Sequence, residues 1–260
     1  MAIKVDPDWW QSLFDDVYLI TDARTVCDHE LTCREVDIYT DIAGIRPEDR
    51  ILDLCGGQGR HAMEFCRRGV MHCTVFDYSK ALIDIGRQAA RREKFPIQFA
   101  RGDARNTKLP ENTYDQVLIL GNSLGYISEP DADLQILKES LRVLKPGGRL
   151  LIDASDGEAV RRKLSSNAWH EIGDDIVVCR HRTIDGNRLC AREMVISKKT
   201  GLIRDKAYGI RLYSEKEMVD LVSNAHFSNV QSLSDFSQIR CKADVGCMKH
   251  RIIVSACKNR

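Results

Sequence analysis

The sequence predicts a doubly wound α/β protein with a mostly parallel sheet and an antiparallel β insertion, and three observations carry that expectation. From Ile51 onward, short apolar runs alternate with longer amphipathic stretches, the pattern of parallel strands joined by crossover helices. A glycine-rich turn, Gly56-Gly57-Gln58-Gly59, leads from the first apolar run into the first amphipathic stretch. Beyond Trp169 the rhythm shifts to strand-length runs broken by Asp185-Gly186-Asn187 and Thr200-Gly201, as in antiparallel hairpins.

Taken in order, residues 1–45 form a helical segment ahead of the sheet. Trp9, Trp10, Phe14 and Tyr18 recur at spacings that fit one helical face; packing onto the core explains them, and a lid over a ligand is the second reading. Thr32-Cys33-Arg34-Glu35 fits the reciprocal Thr-x-x-Glu cap of a helix start. Residues 46–260 make one domain, with strands near 50–55, 72–77, 97–101, 114–121 and 148–153 and helices near 58–69, 79–93, 130–144 and 155–165. Pro146-Gly147-Gly148 is expected to end the helix near 130–144. The insertion occupies about 168–213, with strands at 176–178, 189–197 and 208–213. A helix near 214–225 starts on Ser214 with Glu217 three residues on, and strands near 228–234 and 249–257 return to the main sheet as an antiparallel pair.

With 39 basic and 38 acidic residues the net charge is +1, which offers no broad attraction to a phosphate backbone, so nucleic acid is not an expected partner. No apolar run approaches the roughly 20 residues that span a bilayer, and the charged start of the chain lacks a secretory apolar stretch. A cytoplasmic protein with reduced thiols is the expectation for the 10 cysteines. Cys27 with Cys33, and Cys241 with Cys247, are spaced too widely for the usual zinc knuckle, so no metal is expected.

The run Ile51-Leu52-Asp53-Leu54-Cys55-Gly56-Gly57-Gln58-Gly59-Arg60-His61-Ala62 brings backbone N–H groups close to a ligand at a helix start. Gly57 to Ala62 also fits the dinucleotide pattern G-x-G-x-x-G/A, and Asp77 stands where a ribose-binding acid would, so a nicotinamide-dependent oxidoreductase is one reading. Asp53 argues against it. A carboxylate just before the glycines opposes a pyrophosphate but suits a ligand bearing a sulfonium and an ammonium.

An acid followed by this turn resembles the first motif of the class I S-adenosylmethionine-dependent methyltransferases, with Cys55 where the first glycine usually stands. The resemblance continues through Val75-Phe76-Asp77, Gly102-Asp103-Ala104 and Leu144-Lys145-Pro146-Gly147-Gly148, covering about residues 50–153. Leu120-Gly121-Asn122-Ser123, with Ile210 to Ser214 and Leu233 to Phe236, is similar to glycine N-methyltransferase-like small-molecule methyltransferases. The resemblance implies a Rossmann-like seven-stranded sheet and S-adenosylmethionine as cofactor, held by Asp53, Cys55, Gly57, Gly59, Asp77, Tyr78, Asp103, Ala104, Gly121 and Asn122. In that reading Asp77 takes the ribose and Asp103 the adenine amino group.

Ligands of doubly wound sheets sit beyond the carboxyl ends of the strands where strand order reverses, so the 121–126 loop and the insertion should shape an acceptor pocket. Tyr126, Asn122, Asp153, Asp156, His181 and Arg211 are candidate substrate-facing groups; none is assigned as a catalytic base, and His61 is left out of that role. The expected activity is methyl transfer to nitrogen or oxygen of a small molecule, with an oxidoreductase or a non-catalytic cofactor-binding protein as alternatives, and a homodimer as the expected assembly.

Overall fold

The computed structural model describes residues 2–236 and 249–260, so Cys241 and Cys247 lie outside the described residues. Its main sheet has seven strands in the order β3-β2-β1-β4-β5-β11-β10. They are β1 (Arg50–Leu54), β2 (His72–Asp77), β3 (Gln98–Arg101), β4 (Tyr114–Ile119), β5 (Leu144–Ser155), β10 (Ser228–Phe236) and β11 (Arg251–Cys257). The first five pair in parallel; β11 runs antiparallel to β5 and β10 antiparallel to β11, as the sequence predicts for the returning tail. Strand order reverses between β1 and β4, which places the switch point just beyond Asp53 and Leu54.

Side-chain alternation sends β1 residues to two different cores. Leu52 and Leu54 join a cluster with Ile136 and Leu137 of α7 (Ala132–Val143) and Met218 and Val222 of α9 (Glu215–Asn224). Ile51 joins Val36 and Tyr39 of α4 (His29–Ala43) and Phe65 of α5 (Arg60–Arg67) on the opposite face. A strand covered on both faces reads as a continuous apolar run, and Asp53 is the one charge that interrupts it.

The insertion is a separate antiparallel sheet, β6 (Asn167–Ile172), β7 (Ile176–Asp185), β8 (Arg188–Ser197) and β9 (Gly201–Arg211). Strand β6 was not anticipated and β9 begins well before 208, because polar residues such as His170, Arg204 and Lys206 break up the apolar signal. Between the sheets, α8 (Gly157–Lys163) is capped by Asp156, whose carboxylate accepts from the backbone N–H of Glu158 and Ala159. Preceding everything are three short helices, α1 (Trp10–Leu13), α2 (Asp16–Thr21) and α3 (Ala23–Val26).

Two local expectations are corrected. Helix α4 starts at His29 under Asp28, whose carboxylate takes the Leu31 N–H at 2.9 Å, so Thr32 and Glu35 are interior helix residues rather than a capping box. The box at Ser214 and Glu217 is formed as expected. Pro146-Gly147-Gly148 does not end a helix: α7 stops at Val143, and Gly147 and Gly148 bond to Lys258 at 3.0 and 2.9 Å within the start of β5. Gly147, at φ +80°, absorbs the register shift there between β4 and β5.

Helix α6 (Lys80–Glu93) approaches the glycine turn at Gly86, where a Cβ would lie 2.5 Å from the Gln58 carbonyl oxygen and 2.6 Å from the Phe99 ring. Because one of those neighbours is backbone, Gly86→Ala is expected to destabilise the fold by about 1–3 kcal/mol, the usual cost of overpacking. Urea unfolding of the two proteins measures this, and equal midpoints would show slack at that contact.

Candidate functional site

A cavity of about 210 Å³ opens at the switch point and is walled by the glycine turn, the ends of β2 and β4, the N-terminal segment and the inner face of the insertion. Of the residues singled out in the sequence, Asp53, Cys55, Gly57, Asp77, Tyr78, Asp103, Ala104, Gly121, Asn122 and Tyr126 line it.

Asp53 sits at its floor, 1% exposed, and neither carboxylate oxygen has a hydrogen-bond partner among the described residues. Gly56 has to be glycine because a Cβ there would fall 2.5 Å from the Asp53 carboxyl carbon. Burial is the main influence on Asp53 and pushes its pKa up to about 7, with Arg60 opposing and Asp77 reinforcing. Cys55 takes the left-handed conformation, φ +61°, that a glycine would adopt more cheaply. Burial, followed by Asp77 and Asp53, raises its thiol far above the ordinary value, so it stays protonated.

Asp77 is positioned by backbone: its two oxygens accept from Gly57 N at 2.8 Å and Ser79 N at 2.7 Å. Burial raises its pKa against those N–H groups, and each oxygen keeps a lone pair for a ligand hydroxyl. Asp103 is already engaged, accepting from Arg105 Nη2 at 2.7 Å and from the Arg105 backbone at 2.9 Å. Burial works against ionisation of Asp103, but Arg105 prevails and holds the carboxyl below its usual range. Asn122 has φ +65° and is tied to β5, its Oδ1 accepting from Ser155 N at 2.8 Å, which leaves its amide N–H groups for the cavity.

The remaining candidates lie away from the cavity wall. Gly59 starts α5 in a left-handed conformation, packed against Val75 and Phe99. Asp153 is buried behind the cavity between Tyr39 and Arg251. His181 is on the outward face of β7, bonded to Asn167 at 2.8 Å, while its neighbours Arg180 and Arg182 point inward and line the cavity. Arg211 is consumed by Asp133 and by carbonyls of residues 127–129.

The structure also brings in residues the motifs did not single out. Arg60, the residue after the last glycine, lines the cavity and donates to Glu35 at 2.5 Å and to Thr32 at 2.9 Å. His61 lies beside it, its Nε2 3.0 Å from the same Glu35 carboxylate. Burial and then Arg60 lower the His61 pKa to about 4, so the ring is neutral at pH 7. Burial favours the neutral Glu35, yet Arg60, His61 and Arg251 together hold its carboxyl well below the normal range. Trp9, Trp10, Phe14 and Tyr18 line the opposite wall, so the aromatic cluster roofs the cavity as well as packing. Gln58 Nε2 holds this roof by donating to Val26 O at 3.0 Å, and Ser79 Oγ does so through Phe14 O at 2.5 Å.

Residues 51–148 match the family profile described as a methyltransferase domain, so the sheet carries the domain to which Asp53, Asp77 and Asp103 point. A ubiquinone/menaquinone biosynthesis C-methyltransferase UbiE of Ruegeria sp. is 34% identical over 119 residues, 45% of this chain and 46% of that protein. The chain thus spans about half the length of the curated relatives it matches. Among solved structures, the CcbJ methyltransferase from Streptomyces caelestis superposes with a TM-score of 0.75 at 18% identity, covering 98% of this chain and 100% of that one. An amino pentose methyltransferase from Micromonospora echinaspora with S-adenosylmethionine bound gives 0.67 at 18% identity, over 94% and 98% of the two chains. The fold is that of S-adenosylmethionine-dependent methyltransferases, insertion included.

Asp53 gives this site a pH signature. Its folded pKa of about 7 lies above the unfolded value of 3.8, so its contribution to stability is complete below 3.8 and lost as pH rises toward 7. Wild type should therefore lose about 1.4 kcal/mol per pH unit relative to Asp53→Asn between those limits and run parallel to it above them. Denaturant titrations at intervals from pH 4 to 8 (~4 to ~8 spans the window) check this, and parallel curves throughout would remove the assignment of a protonated Asp53.

Proposed function

We propose that the protein transfers the methyl group of S-adenosylmethionine to a small-molecule acceptor. One observation carries the proposal: the unpartnered, buried Asp53 carboxylate on the cavity floor, with Arg60 on the far side of the same turn. A ligand whose head bears one ammonium and one carboxylate fits such a pair, with Asp53 receiving the cation and Arg60 the anion. Two phosphates of a dinucleotide would instead meet Asp53 and Asp77, a repulsion sharpened by the low dielectric of a buried site. The nicotinamide reading therefore loses to the methyl donor.

In this reading Asp77 accepts the ribose hydroxyls, while Tyr78, Ala104 and Asp103 border the adenine. Cys55, Gly57, Gly121 and Asn122 bound the methionine side, and Tyr126 faces the acceptor. When bound, S-adenosylmethionine supplies a methyl group already activated by its positive sulfur. The chain's own residues then have to align the acceptor and exclude water, which the roof from Trp9 to Tyr18 does. No nucleophilic side chain is needed.

Nitrogen or oxygen acceptors are joined here by carbon, because curated relatives at 31–34% identity are named C-methyltransferases. The near-zero net charge favours a small molecule over a polynucleotide, and free thiols at all eight described cysteines suit the reducing cytoplasm. No described helix is long and apolar enough to cross a membrane.

Calorimetric titration with S-adenosylmethionine, S-adenosylhomocysteine and NAD tests the cofactor, and binding of NAD alone would end the proposal. Labelled methyl donor added with protein to a cell extract should place label in small molecules; label confined to protein or RNA, or no transfer despite tight binding, would overturn the acceptor class or the activity. Asp77→Ala should weaken S-adenosylhomocysteine by about 1–3 kcal/mol, the range for hydrogen bonds to a charged group. Unchanged affinity in the folded variant would reassign Asp77.

A further inference from the structure

The wall opposite the glycine turn is built from aromatic rings that come from three separate elements. Trp9 packs on Phe14 with ring centroids 5.9 Å apart, on Tyr126 of the 121–126 loop at 5.3 Å and on Tyr208 of β9 at 5.6 Å. Phe14 and Tyr126 stack at 5.4 Å with planes 22° apart. All four rings line the cavity, and beside them the inner face of the insertion adds Leu189 and Ile210, directly paired across β8 and β9.

Within this wall Trp9 is 5% exposed, and its indole Nε1–H has no hydrogen-bond partner among the described residues. A buried donor without an acceptor is costly, and three ring contacts that fix the indole prevent it from turning away to find one. Buried indoles normally satisfy that N–H.

We propose that Trp9 is a specificity-determining residue of the acceptor pocket: its N–H donates to an oxygen on a flat, uncharged or anionic ring compound that lies against the aromatic wall. The inference rests on the reading that the glycine-turn side of the cavity holds the methyl donor. Ring faces attract flat π-systems and cations alike. The Trp9 N–H decides between them, because a donor suits a lone pair and repels an ammonium. Nearby Arg180 is already paired with Asp22 at 2.9 Å and with Glu193 at 2.7 Å, so those acids are not idle partners for a cationic acceptor.

The test uses the full chain saturated with S-adenosylhomocysteine and two probes, 1-naphthol and tetramethylammonium, measured by calorimetry on wild type and Trp9→Phe. Phenylalanine keeps one ring in the wall but loses the five-membered ring along with the N–H, so naphthalene, which has no oxygen, serves as a packing control and should weaken less than 1-naphthol does. Naphthol should bind the wild type, bind Trp9→Phe about tenfold more weakly, and outcompete tetramethylammonium, while S-adenosylhomocysteine affinity is the same in both proteins. Equal naphthol affinity in the two proteins, no naphthol binding to a chain that does hold S-adenosylhomocysteine, or tighter binding of tetramethylammonium would each overturn the inference and leave the cofactor reading standing. Failure of S-adenosylhomocysteine itself to bind would overturn both.

Discussion

A carboxylate at the end of a strand covered on both faces has to meet a cation or give up its charge, and Asp53 imposes that constraint on everything around it. Asp53 follows Ile51 on the α4 and α5 face of β1 and is 1% exposed, so its carboxylate has little contact with solvent. Gly56 cannot carry a side chain because Asp53 fills that space, and Gly59 and Gly86 are closed by neighbouring rings and backbone. The turn is therefore held from beneath by a carboxylate and from behind by helix packing. Its shape is fixed before any ligand arrives.

Arg60 answers Asp53 from across the turn, but its own charge is set elsewhere. Glu35 on α4 takes the guanidinium and the edge of His61, and Arg251 on β11 stands 3.7 Å from the same carboxylate before pairing with Asp153. Breaking any member of such a buried set strands an uncompensated charge. Two arginines, two acids and a neutral imidazole thus tie α4, α5, β5 and β11 into one support for the glycine-turn end of the cavity. Helix α4 acts here as a structural part of the site, although it precedes the sheet by chain order.

What could be read from the sequence was local or periodic. β1 to β5 follow from apolar runs of strand length, Asp53 and Asp77 stand at the ends of two of them, and the glycines lie in a turn whose geometry is set by adjacent residues. What could not be read depends on pairing across long separations or on strand parity. His181 drew attention as a polar residue on β7, yet Val178, Arg180 and Arg182 are the buried members of that strand and His181 points out. Two inward arginines hid the usual apolar-in alternation, because Arg180 pairs with Asp22 and Glu193 and Arg182 donates to the Ser165 carbonyl, all outside β7. Thr32 and Glu35 have the spacing of a capping box, but Asp28 takes the cap first, which frees Glu35 to face Arg60. Arg211 and Asp153 looked available only because Asp133, Tyr39 and Arg251 are far away in sequence.

The cavity that results is graded along its length. At the glycine turn its walls carry ionisable groups held in low dielectric, where a zwitterionic head gains most from ordered partners. Toward the roof and the insertion the charges are already paired, Arg204 with Asp15 and Arg180 with Asp22 and Glu193, and the surface left to a ligand is largely rings and aliphatic side chains. In the proposed reading, a donor with a charged head and a reactive carbon some bonds away would be oriented by that gradient, head toward Asp53 and Arg60 and methyl toward the aromatic wall. For the proposed methyl transfer, a direct displacement, orientation would be the larger part of what the protein must supply. The ties between the N-terminal segment and the insertion are ion pairs of buried arginines, Arg204 with Asp15 and Arg180 with Asp22, so the charges they bring to the roof meet a ligand already neutralised in pairs.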